Sequence, residues 1–166
     1  GSAFVEDDTM YLYYTGNTME DGDFDFTYEG RGSNTTLVTS KDGITASAKK
    51  CLLTSADYPH TLSCHVRDPK VFKENRKYYM VLGARTRNDV GCVLLYEAED
   101  KEHFRFKQYI TSEKPFGYMW ECPDLFRIDG NLFLSISPQG IAAEEYQYQN
   151  VYQSGYYRIL GDLEDY

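Results

Sequence analysis

Apolar and polar residues alternate along most of this 166-residue chain in short runs, the pattern of strands with one face buried. The clearest runs are Met10–Thr15, Thr35–Thr39, Lys77–Leu82, Cys92–Glu97, Phe104–Ile110 and Asn131–Ile136. Turn signals separate them at Asp42-Gly43, Asn75-Arg76 and Asp129-Gly130. No segment holds a 3.6-residue apolar period over three turns. The pattern predicts an all-β protein without helices.

The runs also repeat. Asp68-Pro69-Lys70-Val71-Phe72 precedes a turn and a strand near Tyr78, and Cys122-Pro123-Asp124-Leu125-Phe126 precedes a turn and a strand near Leu132. These two copies are offset by 54 residues. A weaker third copy matches Val5 to Phe72, an offset of 67. Multi-strand repeats of about 50 residues are a propeller signature, each copy forming one blade whose first, short strand lies near the central axis. A β-sandwich also has evenly spaced short strands, but the matched Pro-x-x-Phe-turn-strand unit favours the propeller. On this spacing the chain holds about two to three blades, part of a ring.

Superposing the copies places Arg67 on Glu121 and Asp68 on Cys122, with Gly1-Ser2 at the same level. Equivalent positions at the starts of inner strands converge on a propeller axis, so these polar groups would line one pocket. An arbitrary Arg-Asp pair is most often a structural ion pair. Recurrence at one level of three copies points instead to a site. Two carboxylates and a guanidinium can grip sugar hydroxyls, while Tyr118 and Trp120 offer rings for stacking. A carboxyl pair is also what glycoside hydrolysis requires.

Composition narrows the choice. Twenty-six acids against 17 Lys and Arg give a formal charge of −9, which disfavours nucleic acid and anionic membrane as partners. Sixteen Tyr and nine Phe suit both strands and sugar faces. Cys51, Cys64, Cys92 and Cys122 show no C-x-x-C spacing, and reading them as reduced thiols points to the cytoplasm. Cys92 and Cys122 fall in apolar runs, where a thiol packs as a small hydrophobe. No apolar stretch has the length of a membrane-spanning helix. Asp21, Asp23 and Asp25 alternate in an acidic loop but lack the rest of a calcium-binding pattern, and no metal site is expected. His60, His65 and His103 show no paired spacing, although His65 lies just before Arg67. Lys49-Lys50 and Arg85 with Arg87 are modest positive spots where a substrate phosphate could bind.

The ordered motifs resemble glycoside hydrolase family 32. His65-Val66-Arg67-Asp68-Pro69-Lys70-Val71 is similar to its Arg-Asp-Pro motif, and Gly117–Phe126 resembles its Glu-Cys motif. Gly1-Ser2-Ala3 matches the end of its Phe-Ser-Gly-Ser-Ala motif, and Tyr13–Asn17 resembles the stretch that follows it. Ser137-Pro138-Gln139-Gly140 and Tyr152–Tyr156 resemble the branch acting on sucrose 6-phosphate. The likeness covers nearly the whole chain.

This resemblance implies a five-bladed propeller, a retaining β-fructofuranosidase acting on sucrose 6-phosphate or sucrose, and no cofactor. Glu121 would be the general acid/base and Asp68 a transition-state stabiliser that binds fructose hydroxyls. Arg67, Ser2, Trp120, Tyr118 and Cys122 would line the substrate. The family nucleophile is an aspartate in an Asn-Asp-Pro motif. The sole Asn-Asp here is Asn88-Asp89, followed by Val90. Residues 1–166 are therefore expected to be part of a catalytic propeller, without the nucleophile blade, the remaining blades or the C-terminal β-sandwich. They would be inert alone and prone to self-associate through open blade edges. A non-catalytic sugar-binding propeller, or an inulin or levan hydrolase, would share these residues.

Overall fold

A computed structural model describes residues 1–163. The alternating runs become three antiparallel sheets that succeed one another along the chain. The first comprises β1 (Ser2–Glu6), β2 (Thr9–Met19), β3 (Arg31–Ser40) and β4 (Lys50–Leu53), paired in that order. The second comprises β5 (Leu62–Glu74), β6 (Lys77–Thr86), β7 (Gly91–Ala98) and β8 (Arg105–Ile110), also in chain order. The third pairs β9 (Met119–Ile128) with β10 (Asn131–Gln139) and β10 with β11 (Gly155–Ile159). Between the first two sheets, Ser55–Asp57 form a single 3₁₀ turn in which the Asp57 carboxylate accepts the Thr54 N–H at 2.8 Å.

Each sheet opens with a tight hairpin. Asp7-Asp8, Asn75-Arg76 and Asp129-Gly130 all take left-handed φ values between 48° and 77°, as two-residue type I′ turns require. These turns set the repeat. The second and third hairpins keep the 54-residue offset, but the first and second lie 68 residues apart rather than 67. Ser2 is therefore level with Lys70 and Asp124, not beside Asp68.

The inner strands are longer than the sequence pattern suggested, 13 residues for β5 and ten for β9. Pro69 and Pro123 interrupt their apolar alternation, and proline inside a sheet is confined largely to edges and bulges. Both prolines sit at bulges. Asp68-Pro69 face Leu82 between the pairs Arg67↔Gly83 and Lys70↔Val81. Cys122-Pro123 face Ile136 between Glu121↔Ser137 and Asp124↔Ser135.

The second sheet is the centre of the molecule. Met80, Val81, Leu82, Ala84, Cys92, Val93, Leu94 and Leu95 on β6 and β7 are almost fully buried. One face packs with Tyr13, Leu37 and Leu53 of the first sheet. The opposite face packs with Trp120, Leu125 and Leu134 of the third. Successive sheets thus stack face on face, as propeller blades do. Gly83 permits the closest approach: a Cβ there would lie 2.2 Å from the Trp120 carbonyl oxygen. Because Gly83 pairs with Arg67, this contact brings β9 against β5 where the two bulges lie.

Candidate active site

The two bulges share one backbone. Asp68 has φ +60° and Cys122 has φ +48°, a left-handed state that costs a non-glycine residue of order 1 kcal/mol or more. A bulge bends its strand and re-aims the neighbouring side chains. It also frees ladder N–H groups, and these find specific acceptors. The Asp68 N–H donates to Thr15 Oγ1 at 3.1 Å, and the Cys122 N–H donates to Asp68 Oδ2 at 2.9 Å. The Cys122 thiol lies 3.6 Å from the same Asp68 oxygen. Burial, and then the Asp68 charge, push that thiol above its ordinary pKa. It stays protonated and serves as a weak donor. Cys122 is exposed rather than packed in an apolar run, whereas Cys92 is fully buried.

The residues before the bulges point at each other. Arg67 Nε and Nη2 both lie 2.9 Å from Glu121 Oε1. Gln139 Nε2 donates to Glu121 Oε2 at 2.6 Å. Both side chains of the ion pair are mostly shielded, with 19% and 25% of their surfaces exposed. Behind Arg67, Nη1 lies 2.8 Å from His65 Nδ1. A guanidinium only donates, so His65 accepts through Nδ1 and carries its proton on Nε2. Burial, then Arg67, Arg31 and Arg85, pull His65 down to about 4, keeping it neutral.

Beside this ion pair lies a cavity of about 250 Å³. Ser2, Asp68, Lys70, Cys122 and Asp124 line it, and the Lys70 ammonium crosses it to Asp124 at 3.0 Å. Ser2 Oγ accepts the Val71 N–H at 3.3 Å, leaving its own O–H to donate. The lining offers hydroxyl, carboxylate, thiol and ammonium groups, and the guanidinium-held Glu121 is the chain neighbour of the lining residue Cys122. Such groups can hydrogen-bond sugar hydroxyls, with a candidate proton carrier next to them in the chain.

Arg67, Asp68, Glu121, Cys122 and Ser2 are thus brought to one place, but the two aromatics part company. Trp120 is 1% exposed, donates Nε1–H to the Phe116 carbonyl at 2.6 Å and stacks on Tyr157 at 5.9 Å. Its faces are spent in the core, so the expected sugar stacking by Trp120 is corrected. Tyr118 is 38% exposed and outside the cavity lining, with the Arg85 guanidinium 4.6 Å over its ring. Gln139, Thr15, Lys70 and Asp124 were not expected at the site. The 54-residue step carries Lys70 onto Asp124, so these two were within reach of the repeat.

Residues 1–165 match the Glycosyl hydrolases family 32 N-terminal domain. The chain belongs to glycosyl hydrolase family 32. It is similar to the sucrose-6-phosphate hydrolase of Bacillus subtilis, 41% identical over 95% of this chain and 32% of that protein. The raffinose invertase of Escherichia coli is 36% identical over 93% of this chain and 32% of its own length. Among solved structures, a family 32 β-fructofuranosidase from Bombyx mori superposes with a TM-score of 0.85 at 34% identity, covering 99% of this chain and 34% of that one. A solved mutant of that enzyme, in complex with sucrose, superposes with a TM-score of 0.83. The family 32 chain described here spans about a third of the length of these relatives.

Proposed function

We propose that these residues form part of the catalytic propeller of a retaining β-fructofuranosidase acting on sucrose 6-phosphate or sucrose. The observation that carries this reading is the pair of matched bulges, with Glu121 gripped by Arg67 and Asp68 beside it. Glu121 serves as general acid and then general base. Arg67 holds Oε1 from two nitrogens, so Oε2 is the oxygen that carries the proton to the glycosidic oxygen. Rotation of the Gln139 amide would present its oxygen to that proton. Asp68 lies in the cavity with one oxygen fixed by the Cys122 N–H. Its charge stabilises the oxocarbenium-like fructosyl group in the transition state. Arg67 orients Glu121, and Ser2, Cys122 and Tyr118 border the sugar.

The attacking aspartate belongs to residues outside this sequence, since retention requires a nucleophile and Asp68 is bound by its bulge duties. The 166 residues alone are then inert. They also self-associate, a reading supported by Ile128 and Tyr156 exposed on the third sheet and Leu160 exposed just after it. The four unpaired cysteines support a cytoplasmic setting.

Sucrose 6-phosphate hydrolysis tests the reading, comparing this chain, the full-length enzyme carrying it, and the full-length Glu121→Gln variant. We expect an active enzyme, an inert isolated chain, and a loss of roughly 10²–10⁴-fold in kcat on Glu121→Gln. Turnover by the isolated chain would return Asp68 to the role of nucleophile. An inactive full-length protein would leave a sugar-binding propeller.

A further inference from the structure

The end of the molecule at which β5 and β9 begin carries a second group of charges. The β2–β3 and β6–β7 connections turn at this same end. They place Arg31 at the start of β3, two residues before Ser33, and Arg85 near the end of β6, on the strand next to His65 and with its guanidinium over the Tyr118 ring. The grouping is tied down. Ser33 Oγ donates to the Cys64 carbonyl at 2.7 Å, and the Cys64 N–H donates to the Thr27 carbonyl at 2.8 Å. The Tyr28 hydroxyl and Arg85 Nε both donate to Asp89 Oδ1 at 2.9 Å.

Arg67 contacts His65, and the charges of Arg31 and Arg85 also act on this neutral imidazole, in a chain of net charge −9. The acids nearby are Glu121, which holds Arg67, Asp89, which holds Arg85, and Asp25, which faces His65. Arg31 has no carboxylate among the described residues. Its Nη2 donates to Asn17 Oδ1 at 3.0 Å, and its buried Nε has no acceptor. The Nε is sealed from solvent, so the donor capacity open to an oxyanion is that of the terminal nitrogens of Arg31, together with the imidazole N–H. Its place is also specific. Arg67 bridges His65 to Glu121, so this group lies on the far side of Arg67 from the carboxyl proposed to carry the proton.

We propose that Arg31 and Arg85, with the Nε2–H of His65, recognise the phosphate of a sugar phosphate as the leaving hexose is released. The inference rests on the glycosidase reading above and adds a determinant of substrate class to it. The phosphate takes the remaining terminal N–H donors of Arg31 and shares Arg85 with the exposed Asp89. Tyr118, under Arg85, forms the wall against the hexose ring.

The test uses the full-length enzyme, its Arg31→Gln and Arg85→Gln variants, and Arg85→Lys, which keeps charge but loses the fork. The readout is kcat/KM for sucrose 6-phosphate divided by that for sucrose. Removing one charge-assisted contact should lower this ratio by about tenfold, with Arg85→Lys intermediate. Calorimetric titration of the same proteins with glucose 6-phosphate, glucose and inorganic phosphate reads the site without turnover. Glucose 6-phosphate should bind tightest and weaken about tenfold in Arg31→Gln. An unchanged ratio in folded variants, or equal binding of inorganic phosphate and glucose 6-phosphate, overturns the proposal. Hydrolysis of sucrose without preference for its phosphate overturns it alone. Absence of hydrolysis, with phosphate-dependent binding retained, refutes the glycosidase reading and leaves this site standing.

Discussion

The bulge at Arg67-Asp68-Pro69 and the bulge at Glu121-Cys122-Pro123 have one backbone and opposite chemistry. In each, a buried proline ends the regular ladder, a left-handed residue precedes it, and the residue before that points across the sheet boundary. The second-sheet copy supplies a cation and then a carboxylate. The third-sheet copy supplies a carboxylate and then a thiol. Each group pairs with its own counterpart: Arg67 with Glu121, Asp68 with Cys122, Lys70 with Asp124. A repeated backbone thus provides matched positions, and the side chains divide the work. Asp68 spends one oxygen on its partner's backbone and stays fixed. Glu121 keeps Oε2 outside the guanidinium's grip and can exchange a proton.

The sharpest way to break this division is to reverse it. Arg67→Glu combined with Glu121→Arg retains an ion pair between the same two positions. Stability should change little, since an ion pair this shielded is costly to halve and inexpensive to transpose. Activity of the full-length enzyme should fall as far as with Glu121→Gln, roughly 10²–10⁴-fold, because the proposed proton carrier has moved to the wrong bulge. Hydrolysis rates and urea midpoints of the single and double variants decide this. Near-normal rates in the double variant would mean that the two positions are interchangeable.

A smaller effect separates the two duties of Asp68. Asp68→Asn keeps an oxygen for the Cys122 N–H but removes the charge. Asp68→Ala removes both. Leaving that N–H unpaired should cost about 1 kcal/mol, at the low end because Cys122 is exposed. Asn should therefore restore most of the stability lost in Ala while both variants lose activity alike. Thermal unfolding with kcat measurements checks the split. Recovery of activity in Asn would show that geometry, not charge, is what Asp68 contributes.

Much of this was legible beforehand, for a physical reason: a repeat fixes which positions are equivalent before any coordinate is known. Five of the six apolar runs fall inside β2, β3, β6, β7 and β10, the sixth overruns the start of β8 by Phe104, and the 54-residue step carries Arg67 onto its partner Glu121. The same step would have corrected Trp120, whose counterpart Val66 is a core residue, both being almost fully buried. Ring chemistry suggested stacking there, but strand alternation turns that position inward. β5 and β9 were read as shorter because proline hides a strand that continues through a bulge. The level of Ser2 was misplaced because the first copy has no such bulge to align on. The grip of Gln139 on Glu121 depends on β10 pairing with β9 in a given register, which spacing within one strand does not reveal.

The comparison also has an asymmetric member. The step that links the bulges carries His65 onto Met119, a fully buried thioether, so the Arg67 side alone has a titratable support. Burial, then Arg67, Arg31 and Arg85, lower the folded-state pKa of His65 from 6.5 to about 4, with Asp25 opposing. Between those values the unfolded chain binds a proton that the folded chain refuses. Stability should therefore fall as pH drops from 6.5 towards 4 and lose nothing further from this group below that. His65→Gln keeps an oxygen to accept from Arg67 and does not titrate, so this slope should vanish while stability at pH 7 changes little. The next acid-sensitive contact is elsewhere. Lys101, Lys73 and Tyr78 hold Glu6 down at about 2, so its contribution is present above 4.5 and is lost only as pH falls from 4.5 towards 2. Urea midpoints at pH 7, 5.5 and 4 for the native and His65→Gln proteins separate the two. Parallel pH profiles would show that His65 already shares its proton in the folded state, and that Arg67 is held by Glu121 without help from behind.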